Sequence, residues 1–236
     1  MYSGRVALES FKLMQTDIAL KVLLLAPSHY RNIDFVATSS FASAATPFGA
    51  LRIDTQSLNA LEDFDHGVFR RIERDAEAQE HAIEMQLFQI KYHCPNSVII
   101  PLIVGSLNKE SMERAILGLQ LIQFDCMVVS TDFSHYGANY RYNPFADSTG
   151  DVDSQLRQLD RKAFRSFCEN DLSEFDRYLR ETGNTICGKH PLRIAMGYLK
   201  LHSKSKWNWI DYDRSSKSLD FSDSSVGYLS AAYYSQ

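Results

Sequence analysis

The four cysteines of this 236-residue chain, Cys94, Cys126, Cys168 and Cys187, lie far apart, with no Cys-x-x-Cys pair among them. That spacing excludes a zinc finger and a small disulfide scaffold, and it fits a reducing cytoplasm. Long apolar runs are also lacking. The longest, Val22 to Leu25 and Val98 to Val104, fall far short of a membrane span, and no signal-type apolar core follows the first charges. A soluble, unexported, cytoplasmic protein with no membrane partner is expected.

Positive charge is scarce as well. The net charge is -4 and the sequence pI is near 6.0. The densest basic stretch, Arg70, Arg71 and Arg74, is broken by Glu73 and Asp75, which suits a solvated face and not a nucleic-acid patch. No Gly-x-Gly-x-x-Gly follows the first apolar run and no phosphate-binding Gly-x4-Gly-Lys-Ser/Thr occurs, so a nucleotide-centred site is not expected. The absence of a His-Glu-x-x-His helix removes one common route to a zinc peptidase. There is no internal repeat, low-complexity tract or long Pro/Gly linker.

What is present is core material. With 44% hydrophobic and 12% aromatic residues, the chain can bury a large interior, and residues 1–236 are expected to form a single domain. Lys21 to Leu25, Ser97 to Val104 and Cys126 to Ser130 are short apolar runs of the kind that form strands buried on both faces. Helical spacing predicts helices over Glu77 to Tyr92 and Met112 to Ile122 between them. After Gly150 come helices over Leu156 to Phe167, with Asp153 or Ser154 as cap, Leu172 to Leu179, and one opening at Pro191 and running to Leu201. Aromatic-rich strands, Lys206 to Tyr212 and Ser225 to Tyr234, follow. The expected class is α/β, a mixed or mainly parallel sheet flanked by helices.

Chemistry-bearing residues gather at the ends of these elements. His29 follows the first strand, Asp132 and His135 follow the Cys126 to Ser130 strand, and ligands in open α/β sheets sit beyond such carboxyl ends. His81 falls in the first part of a helix with Glu84 three residues on; there the dipole disfavours imidazolium and leaves a lone pair for metal. Cys187 precedes Lys189, His190 and a helix start, where charge and dipole favour thiolate. His66, His93 and His202 are assigned to packing or the surface, and Cys126 to the core.

Five fragments, Pro27-Ser28-His29, Thr46-Pro47-Phe48-Gly49, Glu80-His81 through Glu84, Ser130-Thr131-Asp132-Phe133-Ser134-His135 and Asn184-Thr185-Ile186-Cys187-Gly188, occur in an order that resembles the Memo family. Val104-Gly105 and Ser224-Ser225-Val226 also fall where that family has them. The resemblance covers almost the whole chain. It implies a fold similar to the class III extradiol dioxygenases, which are non-haem iron enzymes, and a metal pocket of two histidines and a cysteine. Carried over residue by residue, these are His29, His81 and Cys187. His135 would line the same pocket as an acid/base or substrate-facing group, with Asp132 orienting it or a ligand, and Glu84 would support His81 or only cap its helix.

The family's Pro-His-Ala-Gly segment, which precedes a stretch similar to Tyr2-Ser3-Gly4, is expected to be missing, and Tyr30 stands where some relatives have a second histidine. Two imidazoles and a thiolate suit copper or zinc on their chemistry, whereas the resemblance implies one Fe2+ or Cu per chain with a redox role, zinc being the weaker fit. Ring cleavage itself is not implied, since Cys187 replaces the carboxylate ligand. The first expectation is a metal-dependent redox protein acting on a small-molecule substrate. The alternative is a non-catalytic adaptor for phosphotyrosine peptides in cell motility signalling, or a metal-handling protein. Zinc hydrolysis is a third. In a microbe, a radical S-adenosylmethionine protein and an AMMECR-type protein would be the expected genomic neighbours.

Overall fold

Five apolar residues in a row, Val22 to Ala26, have no polar face to show to water, so a strand made from them must be covered on both sides and both edges. The computed structural model, which describes residues 3–146, 148–202, 205–218 and 220–234, does this: each of the five is fully buried. Tyr2 of the Tyr2-Ser3-Gly4 stretch lies outside the described residues. In chain order the elements are α1 (Gly4–Phe11), β1 (Lys21–Pro27), β2 (Val36–Thr38), β3 (Ser43–Ala44), β4 (Leu51–Ile53), α2 (Thr55–Phe64), β5 (Phe69–Arg71), α3 (Arg74–Ala78) and α4 (His81–His93). Then come β6 (Val98–Val104), α5 (Lys109–Leu119), β7 (Cys126–Val129), β8 (His135–Tyr136), α6 (Val152–Phe167), α7 (Leu172–Thr182), α8 (Lys189–His202), β9 (Trp207–Arg214) and β10 (Ser225–Tyr233).

Two compact units share these elements, and each has its own sheet. Residues 11–131 and 188–198 make one; residues 1–10, 132–187 and 199–236 make the other. In the first, β1 lies between β6 and β7, parallel to both, with Leu25 opposite Leu102 and Val129. β4 extends the sheet parallel to β6, while β2 pairs antiparallel to β6 and β3 antiparallel to β4. The sheet is thus mainly parallel, as expected, and α4 packs on β1 while α2 packs on β5 and β6. The second unit holds a three-stranded antiparallel sheet, β8-β10-β9, with α6 against β10 and α7 against α6.

Helix boundaries follow the caps. Asp151, and not Asp153 or Ser154, caps α6 by accepting from the Ser154 N–H at 2.9 Å. Asn108 starts α5 three residues ahead of the expected Met112 by capping at Ser111 N–H. The helix expected over Glu77 to Tyr92 is broken: α3 stops at Ala78, and α4 begins anew at His81 behind the cap Glu80. Among the described residues no helix is long and apolar enough to cross a membrane.

Asp54 ties two elements of the first unit, capping α2 through Ser57 and pairing with Lys21 of β1 at 2.7 Å. Burial pushes its carboxyl up, but the bonds from Lys21 and Ser57 outweigh burial and hold it below the ordinary 3.8. Bonds from Ser173 and Glu174 likewise hold Asp171, the cap of α7, below that value. A depressed folded pKa means stability that is present above 3.8 and lost as pH falls through the folded value. Urea midpoints should therefore drop on acidification below about pH 4, and the drop should be smaller in Asp54→Asn. An equal drop in that variant would contradict the assignment.

Candidate metal-binding groups

β1 and β7 run in parallel, so their carboxyl ends open on one edge of the first sheet, and the Pro27-Ser28-His29 turn leaves that edge. The loop after β1 folds back on the end of β6, where Gly105 N–H bonds the carbonyl of Phe35 and Ser106 N–H that of Ile33. This loop meets the first residue of α4. The rings of His29 and His81 lie nearly parallel there, 17° apart, with centroids 4.8 Å from one another.

Glu80 stands behind the pair. Its Oε2 accepts from the backbone N–H of His29 at 2.6 Å and of Tyr30 at 3.1 Å, and its Oε1 accepts from Ala82 N–H at 3.2 Å. The same Oε1 lies 3.7 Å from Nδ1 of His29 and 3.8 Å from Nδ1 of His81. Its side chain is 2% exposed, against 32% for His29 and 63% for His81, so the carboxylate is the buried back of the group and the rings its outer part. One donor atom from each of the three residues lies within 4.8 Å of the others. Two imidazoles brought together from separate segments are usable donors for a divalent transition metal, and the group fits one on that ground.

The other unit holds Asp132, His135 and Cys187, whose donor atoms also lie within 4.8 Å of one another. Two backbone segments are zipped together to place them. Cys187 N–H bonds the Asp132 carbonyl at 3.3 Å, and Asp132 N–H is donated back to the Cys187 sulfur at 3.1 Å. Thr185 Oγ1 accepts from His135 N–H at 2.7 Å and donates to the His135 carbonyl. The same sulfur lies 3.7 Å from the Asp132 carbonyl, to which its S–H donates.

The His135 ring is oriented by backbone. Its Nδ1 lies 2.9 Å from the Phe133 carbonyl and 3.1 Å from that of Thr185. Carbonyls only accept, so Nδ1 carries the proton and Nε2 carries the lone pair of the neutral ring. A buried network lies behind this turn. Asp160 accepts from Ser134 N–H and Oγ and from the Tyr212 hydroxyl at 2.7 Å, and Arg214 reaches Asp160 at 3.4 Å and Ser134 Oγ at 3.1 Å.

All five residues singled out in the sequence thus fall into two groups: His29 with His81, and Asp132 with His135 and Cys187. Glu84 is exposed, and the carboxylate beside His81 is Glu80, which sequence reasoning passed over. The missed signal is the helix start: once α4 begins at His81, the residue before it is the cap. The Thr46 to Gly49 fragment forms a turn, with Thr46 Oγ1 bonding Phe48 N–H and the Gly49 carbonyl, and Phe48 lies 5.1 Å from the Tyr92 ring. Cys126, assigned to packing, is held as a thiol by burial, its pKa pushed up to about 12. Of the three histidines set aside, His66 and His202 are exposed and His93 is buried against Phe11.

Residues 1–232 match the family profile described as Memo-like protein. Protein MEMO1 of Rattus norvegicus is 31% identical over 98% of this chain and 81% of its own length. Protein MEMO1 of Homo sapiens is 30% identical over the same shares. A MEMO1 family protein of Schizosaccharomyces pombe is 28% identical over 98% of this chain and 84% of its own.

Proposed function

This chain belongs to the Memo family, and from that membership and its two ligand groups we propose that it is a metal-binding redox protein in which His29, His81 and Cys187 hold one iron or copper ion. The observation that carries the reading is the pairing of His29 with His81, two imidazoles from segments 52 residues apart brought to 4.8 Å around one buried carboxylate. Such convergence at the carboxyl end of a parallel strand is what a ligand site requires. Cys187 enters the set through the family resemblance, and its sulfur is fixed in place by the backbone N–H of Asp132.

A bound iron or copper ion would supply electron transfer and an open coordination position. The chain's own residues supply the rest. His135, fixed with its proton on Nδ1, offers Nε2 to take or return a proton, and Asp132 holds a carboxylate within the same group. Iron and copper are preferred to zinc because the reading is redox; zinc in the same donors would point to activated water instead.

The test is metal content by elemental mass spectrometry on anaerobically purified protein, compared with His81→Ala and Cys187→Ala. Near-stoichiometric iron or copper, lost in both variants, is the expected result. Wild-type protein that stays metal-free after reconstitution, or variants that keep full metal, would refute it. Oxygen uptake on the loaded protein, lowered in His135→Gln with metal retained, would then separate the proton-transfer role from the ligands.

A further inference from the structure

Glu80 is an odd residue for a helix cap. Short side chains such as Asp, Ser and Asn dominate that position because they reach the first free N–H groups without folding back. The longer Glu80 does cap α4 at Ala82, yet its second oxygen is spent on a distant segment, the backbone of His29 and Tyr30. The extra methylene lets one carboxylate bind the helix start and the loop after β1 at once. Those are the two segments that carry the paired imidazoles.

Both imidazoles present the same atom to it. Nδ1 of His29 and Nδ1 of His81 stand 3.7 and 3.8 Å from Oε1, beyond hydrogen-bond length but well within reach of charge. A lone pair facing a carboxylate oxygen is repelled and an N–H is attracted, so the proton of each neutral ring belongs on Nδ1. Resting on the reading of His29 and His81 as ligands, we infer that Glu80 is a positioning residue shared by both, which holds each imidazole proton on Nδ1 and makes Nε2 of each the metal-binding atom.

Glu80 is not the ligand itself on this account. Its oxygens already accept three backbone N–H groups, and with 2% exposure it lies behind rings that are 32% and 63% exposed. A metal arriving from solvent meets the rings first. Histidine ligands backed by a carboxylate on the other nitrogen are a general pattern; one carboxylate serving two of them is the specific claim here.

Long-range proton–nitrogen NMR on the 15N-labelled, metal-free full chain tests it, at about pH 8.5, two units above the ordinary histidine value. The two rings are assigned by the signals lost in His29→Gln and His81→Gln. Wild-type protein should show the Nδ1–H form for both, and Glu80→Gln should release both rings to a mixture. His135, held by two carbonyls, serves as the internal reference for a folded site and should not change. Nε2–H on either ring of the wild type, or unchanged tautomers in Glu80→Gln, would overturn the inference, and the wild-type spectrum decides even if the variant fails to fold.

Cobalt(II) titration gives the second arm. Affinity should fall about 10- to 100-fold in Glu80→Gln, short of the loss in His81→Ala. Equal loss in the two variants would make Glu80 a ligand and sink the positioning role. Wild-type protein that binds no cobalt(II) would count against the proposed function, while the tautomers would still judge Glu80.

Discussion

Arg214→Met should destabilise the protein by about 3–5 kcal/mol, the cost of leaving a buried charge without its counter-ion. Arg214 and Asp160 have side chains 1% and 0% exposed, and the guanidinium also bonds Ser225 Oγ, Ser134 Oγ and the Tyr212 hydroxyl. Removing it strands Asp160 with three neutral donors. For a chain of this length the loss should lower Tm by roughly 6–20 °C.

Two readouts separate the charge effect from lost packing. The double variant Asp160→Asn/Arg214→Met should be more stable than Arg214→Met alone, because no unpaired charge remains. Burial pushes the Asp160 carboxyl above its ordinary value even with its partners in place. A raised folded pKa adds stability at low pH that is lost as pH rises, so the deficit of Arg214→Met should shrink on acidification from pH 7. A deficit independent of pH would mean that the charge is not its origin. Since Ser134 precedes His135, the variant should also blur the orientation of that ring.

The second large effect is expected at Gly105. A Cβ there would overlap the carbonyl oxygen of Ile33 and stand 2.7 Å from the Ile33 carbonyl carbon. Backbone cannot swing aside as a side-chain end can, so Gly105→Ala has to push the loop away from the end of β6. Overpacking of this kind costs about 1–3 kcal/mol, and the backbone contact puts this site at the upper end. The displaced loop is the one that carries His29, so weaker metal retention should accompany the fall in Tm. Gly150→Ala is the control, because its new methyl group meets side-chain atoms, the amide end of Gln155 and, at ordinary contact distance, Ser148 Oγ. Its Tm should stay within a degree or two of wild type. Equal effects at the two sites would show that close backbone approach is not what Gly105 provides.

The parts of the fold that were legible in the sequence are those with an unbroken apolar run or a regular apolar spacing, even where, as in β7, the strand is only half-buried. β1, β6 and β7 announce themselves as unbroken apolar runs, and α6 and α7 through strong amphipathic spacing, with Leu156, Leu159, Ala163 and Phe167 all inward. β2 to β5 are only two or three residues long, too short for any period to show. α2 turns just Leu58, Leu61 and the small Ser57 inward among polar neighbours, so its pattern resembles a loop. The Gln79-Glu80 break inside an apparently continuous helix was hidden for another reason: both residues are good helix formers, and only the tertiary demand of the loop after β1 takes Glu80 out of the helix. The histidines and Cys187 could be picked out by residue type and position. Glu80 could not, because its role is defined by backbone groups 50 and 51 positions away.

β1 is made early and completed late. Its neighbours, β6 and β7, end at Val104 and Val129, so at roughly 5–20 residues per second the ribosome takes on the order of 5–20 s to deliver the second edge after the strand itself is finished. Throughout that interval Val22 to Ala26 form a sticky, β-prone stretch with no partner on at least one side. The chain brackets it with Lys21, a charge, and Pro27, a residue without an N–H, which are the gatekeepers that discourage such a segment from pairing with a neighbouring copy. Lys21 therefore protects the nascent chain before it ever meets Asp54.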